Sequence, residues 1–124
     1  MSTLIGRFYF KLTDSKNLFG EFSNDHQTCK RNYTESADRI PPDANCSKET
    51  DDGRFVGEFY TTWHDEIGGK HECALAKLKI VLKHHDIYSL TWWLVQDDGT
   101  VASKISFRGE GMLCDGMLIG DYRD

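Results

Sequence analysis

Residues 74–82 read Ala-Leu-Ala-Lys-Leu-Lys-Ile-Val-Leu, and residues 87–94 read Ile-Tyr-Ser-Leu-Thr-Trp-Trp-Leu. In the first stretch Ala74, Ala76, Leu78, Ile80 and Leu82 alternate with Lys77, Lys79 and Lys83. Successive strand side chains point to opposite faces, so this alternation predicts a strand with one buried face. A turn centred on His85 then pairs Leu82 with Tyr88, Ile80 with Leu90, Leu78 with Trp92 and Ala76 with Leu94, all facing inward. The outward pairs are Lys83–Ile87, Val81–Ser89, Lys79–Thr91 and Lys77–Trp93. One register satisfies both faces, as a genuine antiparallel pair requires.

The same reading extends in both directions. Asp98-Gly99 and Asp115-Gly116 are two-residue hairpin signals, because a type I′ turn wants positive φ at both central positions. The first predicts Trp92 opposite Ile105, Leu90 opposite Phe107 and Trp93 opposite Lys104. The second predicts Leu113 opposite Leu118, Glu110 opposite Asp121 and Arg108 opposite Arg123, with diagonal opposite charges offsetting the like-charged pairs. Phe8, Phe10 and Leu12 alternate with Arg7, Tyr9 and Lys11. The predicted strands are 4–12, 18–24, 54–63, 73–83, 87–95, 100–109, 111–114 and 117–122. Residues 100–114 also read as one long strand bent at Gly109 and Gly111. Residues 25–53 are a long polar loop containing Pro41-Pro42, with a short strand or helical turn around 32–40; so long a loop suggests a lid or an insertion.

A short repeat recurs in these strands: Leu18-Phe19-Gly20-Glu21-Phe22, Phe55-Val56-Gly57-Glu58-Phe59 and Leu118-Ile119-Gly120-Asp121-Tyr122, with a partial copy at Phe107-Arg108-Gly109-Glu110. In each, an apolar residue, a glycine and an aromatic share a face, and the acid points to water. Inward glycines permit the sharp bends of a closing barrel. The expected fold is all-β: an antiparallel up-and-down meander barrel of seven or eight strands, with residues 1–124 forming a single domain. Opening on Gly6-Arg7-Phe8 and carrying Asn17-Leu18-Phe19-Gly20-Glu21-Phe22, the chain resembles the calycin-type barrels, lipocalins and avidins among them. The resemblance implies a barrel with a binding mouth. No biotin-binding residues of the avidins map onto this sequence.

Composition narrows the functional classes. The chain has 124 residues, 39% hydrophobic and 12% aromatic, with a net charge of −5. That balance argues against general nucleic-acid binding, which relies on excess Lys and Arg. Nothing approaches the ~20 apolar residues of a membrane helix. The opening MSTLIGRFYF lacks the basic-then-apolar order of a signal peptide, so a cytoplasmic location is expected. In that reducing compartment Cys29, Cys46, Cys73 and Cys114 are expected to be free thiols, and the sequons at Asn32 and Asn45 carry no meaning.

Chemistry-bearing residues form two groups. His64-Asp65-Glu66 and His71-Glu72-Cys73 flank one turn, and His84-His85-Asp86 forms another. The 73–83 strand holds the groups roughly 30 Å apart at ~3.3 Å per residue, so they cannot share one metal. Neither spacing matches an established zinc pattern, and they read as solvated turns. No nucleophile motif or phosphate loop occurs, so catalysis is not the leading expectation, and no catalytic residue, cofactor or metal ligand is assigned. The inward list holds Phe8, Phe10, Phe22, Phe55, Phe59, Trp63, Tyr88, Trp92, Phe107 and Tyr122. An eight-strand interior is just wide enough for side chains to fill, so packing is favoured over a deep pocket. If a mouth exists, alternation of the connections puts it near Phe55, Tyr88 and Trp92, beside His84 and His85 and under the 25–53 loop.

The expected function is binding of a small apolar or aromatic ligand at one barrel end, with Phe55, Tyr88, Trp92, His84 and His85 as ligand-binding candidates. The alternatives are an interaction module or homodimer acting through Trp93, Lys77 and Lys104 on the outer face, and an enzyme using the histidines at the mouth.

Overall fold

The computed structural model describes residues 5–25, 33–40, 55–67 and 70–124, with the backbone alone for 65–67 and 70–72. Its elements are β1 (Ile5–Leu12), β2 (Leu18–Asn24), β3 (Tyr33–Ile40), β4 (Gly57–Ile67), β5 (Lys70–His84), β6 (Ile87–Leu94), β7 (Phe107–Cys114) and β8 (Met117–Arg123). Each strand pairs antiparallel with the next, and β8 returns to β1, so the sheet closes into an eight-stranded up-and-down barrel. The seam runs from Ile5 opposite Arg123 to Lys11 opposite Met117.

The β5–β6 register follows the alternation: Ala76, Leu78, Ile80 and Leu82 face Leu94, Trp92, Leu90 and Tyr88. Only the turn differs. A bulge between Leu82 and His84 pairs His84, rather than Lys83, with Ile87, and His85 takes a φ of 51°. The β7–β8 pairs are also as read, including Arg108 opposite Arg123. There Glu110 is paired by Lys83 of β5, at 2.5 Å, rather than by a diagonal arginine.

Two expectations are corrected. First, residues 33–40 form a full strand, β3, between β2 and β4. Its burial alternates strictly, with Tyr33, Glu35, Ala37 and Arg39 inward. Two of those inward residues are charged types, which hid the apolar period. Second, β7 begins at Phe107, and Trp92 faces Phe107 instead of Ile105. The turn at Asp98-Gly99 is closed by Gln96 N donating to Thr100 O at 2.8 Å, and Val95 bridges Val101. Residues 103–105 then leave the ladder before Ser106 N rejoins it at Trp92 O. The net slip is two residues, which preserves each residue's face. It also carries Lys104 away from Trp93.

The inward glycines of the repeat let strands approach. A Cβ on Gly20 would lie 1.7 Å from Tyr9 O, and one on Gly120 would lie 1.9 Å from Glu110 O. The middle copy serves differently: Gly57 opens β4 with φ of 149°, and its missing Cβ makes room for Arg39.

The closed half of the barrel is filled. Phe10, Leu18, Phe55, Phe59, Ile80, Tyr88, Leu90 and Leu118 are fully buried. Arg39 seals this end: its Nε donates to Lys16 O at 2.8 Å, its Nη1 to Val56 O at 2.9 Å, and its guanidinium lies 4.6 Å from the Phe59 ring centroid. At the other end β4 and β5 run past their neighbours. β4 pairs with β3 no further than Trp63, β5 with β6 no further than Ala76, and the two continue together to Ile67 opposite Lys70. The lid reading of 25–53 rests on residues 26–32 and 41–54, which lie outside the described residues, as do Cys29, Cys46 and Gly68-Gly69.

Candidate functional site

The cavity lies at the end from which β4 and β5 project. Every strand but β5 contributes to it: Phe8 from β1, Phe22 and Asn24 from β2, Glu35 from β3, Trp63 from β4, Trp92 from β6, Phe107 from β7 and Tyr122 from β8. It is small, about 50 Å³, enough for a few waters or one compact organic group. Alternation dictates this lining, because each of these residues sits on the inward face near the open end of its strand.

The rings form a continuous wall. Trp92 meets Phe8 and Tyr122 with centroids 5.9 Å apart in each case. Phe107 meets Trp63 at 6.2 Å and Tyr122 at 6.0 Å, and Phe22 meets Trp63 and Tyr122 at 6.3 Å. Most contacts are edge-to-face, the arrangement the ring quadrupole favours. Polar tips are tied back: Asn24 Nδ2 donates to Tyr122 Oη at 3.1 Å.

Glu35 is the exception in this apolar wall. It is 5% exposed, and Trp92 Nε1 donates to its Oε2 at 3.0 Å. Burial pushes its carboxyl up from the ordinary 4.5 to about 7, against the lowering influence of Trp92 and Thr61. The Thr61 hydroxyl, buried and otherwise without a hydrogen-bond partner, lies beside the same carboxyl. Loss of water around a carboxylate disfavours its charged form. No cationic side chain lines the cavity among the described residues.

Of the ligand candidates read from the sequence, only Trp92 lines this cavity. Phe55 and Tyr88 are buried in the closed half, and His84 and His85 form the exposed β5–β6 turn at that same end, ring centroids 4.1 Å apart. The cavity thus opens at the end opposite to the one expected. The expected strand count omits the short strand offered around 32–40, and that omission inverts the parity of every later connection and moves the expected mouth across the barrel. The inward list did contain all six lining rings. It lacked Glu35 and Asn24, and the signal for Glu35 was the alternation Tyr33, Glu35, Ala37, Arg39.

The other singled-out residues do not converge. Trp93 is half-buried on the outer face opposite Lys77, whose ammonium pairs with Glu58 at 2.7 Å. His64 Nδ1 and Cys73 Sγ are 3.9 Å apart on the β4–β5 hairpin, while the side chains of Asp65, Glu66, His71 and Glu72 lie outside the description. Among the described residues no three metal-binding side chains come together, and no helix is long and apolar enough to cross a membrane. Comparison with protein-family models, with curated proteins and with solved structures finds no match for this chain.

Proposed function

We propose that this protein is a non-catalytic binding barrel that holds a small ligand, with apolar or aromatic surface, in the cavity around Glu35. The observation carrying this reading is the lining itself: six aromatic rings and one buried carboxyl converging on an open barrel end. Ligand sites are typically apolar concavities with a few placed polar groups that fix orientation. Among the described lining residues Glu35 is the single carboxyl, and no nucleophile stands beside it. That set suits orientation of a ligand better than chemistry on it. The calycin-type resemblance agrees, since such barrels bind at one end. Cys73 and Cys114 are free and exposed, which suits a reducing cytoplasm.

Gently purified protein, weighed by native mass spectrometry and again after denaturation, tests the reading. A small molecule present in the first mass and absent in the second is expected. A screen of single-ring fragments, followed through the amide shifts of Phe8, Glu35 and Trp92, gives the second arm. An empty protein in which no fragment shifts these three positions sinks the reading.

A further inference from the structure

We propose that the ligand of this cavity presents a compact organic cation, an ammonium group on a small apolar body, held beside Glu35 among the rings of Trp92, Trp63 and Tyr122, and that protonation of Glu35 releases it. The inference rests on the binding reading above and names the ligand chemistry. A carboxylate taken from water without a counter-charge is strongly unfavourable. Here the carboxyl receives the Trp92 indole, with the Thr61 hydroxyl beside it, and no cation among the described lining residues neutralises it. A neutral apolar ligand would desolvate it further. A cation satisfies it, and the cavity wall around it is aromatic, a lining whose rings attract cations.

The release arm depends on what else titrates nearby. β1 and β2 present Phe8, Gly20 and Phe22, β4 presents Thr61 and Trp63, and β6 presents Trp92. Among the described residues the other ionisable inward groups are Tyr33 on β3, Tyr122 on β8 and, in the closed half, Tyr88 and Arg39. Phenols stay neutral and a guanidinium stays charged through the range in which a carboxyl titrates. Among the described inward residues Glu35 is therefore the group that changes charge between mildly acidic and mildly basic solution.

The test compares benzylamine, charged like a lysine throughout, with benzyl alcohol, its neutral counterpart of the same shape, by calorimetric titration at ~pH 8 and ~pH 5.5. At the higher pH benzylamine is expected to bind at least about tenfold more tightly. At the lower pH the preference is expected to vanish. Glu35→Gln is expected to abolish the preference at ~pH 8. Equal affinity of the two probes at ~pH 8, or a preference that survives in Glu35→Gln, overturns the cation inference and leaves the binding reading standing. Failure of both probes at both pH values overturns the binding reading itself. The wild-type pH comparison stands alone should the variant not fold.

Discussion

Replacing Glu35 by Gln should make the barrel more stable in base and leave it nearly unchanged in acid. The folded state holds the Glu35 proton up to about pH 7, whereas the free side chain releases it near 4.5. Between these values the folded chain binds more protons than the unfolded one, so stability falls as pH rises through that window. Each pH unit of difference is worth about 1.4 kcal/mol, so the full penalty above the window is about 3 kcal/mol. Gln keeps an oxygen to accept from Trp92 Nε1 and cannot ionise. Whatever fixed cost its amide brings is the same at every pH and cancels in the comparison. Urea unfolding of both proteins at ~pH 5 and ~pH 8 should show the variant's relative stability growing by about 2–3 kcal/mol over that span, about 10 °C in Tm for a chain of this size. Wild type and variant moving in parallel would refute the argument that desolvation governs this carboxyl.

Trp92→Phe removes the indole donor that favours the charged carboxyl, so the Glu35 midpoint should rise above its wild-type value of about 7, read by carbon-13 NMR of the carboxyl. Gly20→Ala would drive a Cβ into Tyr9 O and should prevent a stable fold, whereas Gly99→Ala, which meets open space at φ 87°, should cost only about 1 kcal/mol; thermal melts of the two separate steric from conformational cost. Arg39→Met leaves the carbonyls of Lys16 and Val56 without their donor and should destabilise by about 3 kcal/mol in urea. It should leave the amide shifts of the Glu35 cavity, at the opposite end, in place.

The sequence carried the sheet almost entirely where apolar and polar residues alternate. β5, β6 and β8 could be paired residue by residue, because each side chain's face follows from burial and the turns pin the register. β3 was legible only as a short strand or helical turn around 32–40, for the opposite reason. Its inward positions hold Glu35 and Arg39, whose burial depends on partners contributed by Trp92, Lys16 and Val56 from elsewhere in the chain. The functional part of the interior was hidden with it. The β6–β7 register failed because the loop at 97–99 is one residue longer than a two-residue turn and residues 103–105 then leave the ladder; the two opposed offsets leave a slip of two, and nothing local marks either. The lining rings could be listed but not located, since the number of strands decides which end each ring faces.

The overhang of β4 and β5 has a consequence for how the molecule opens. From His64 to Ile67 and from Lys70 to Ala74 these strands have each other as their described ladder partner. Every other strand is flanked on both sides by the closed sheet. Opening this end of the hairpin breaks only its own rungs, while opening the wall through the middle of any other strand breaks two ladders and the packed core beneath. Among the described strands the free energy of local unfolding is therefore lower beside the rim of the Glu35 cavity than in the packed closed half. Amide hydrogens of the tip would exchange long before those of the closed half, and the cavity could widen while the rest of the barrel remains native.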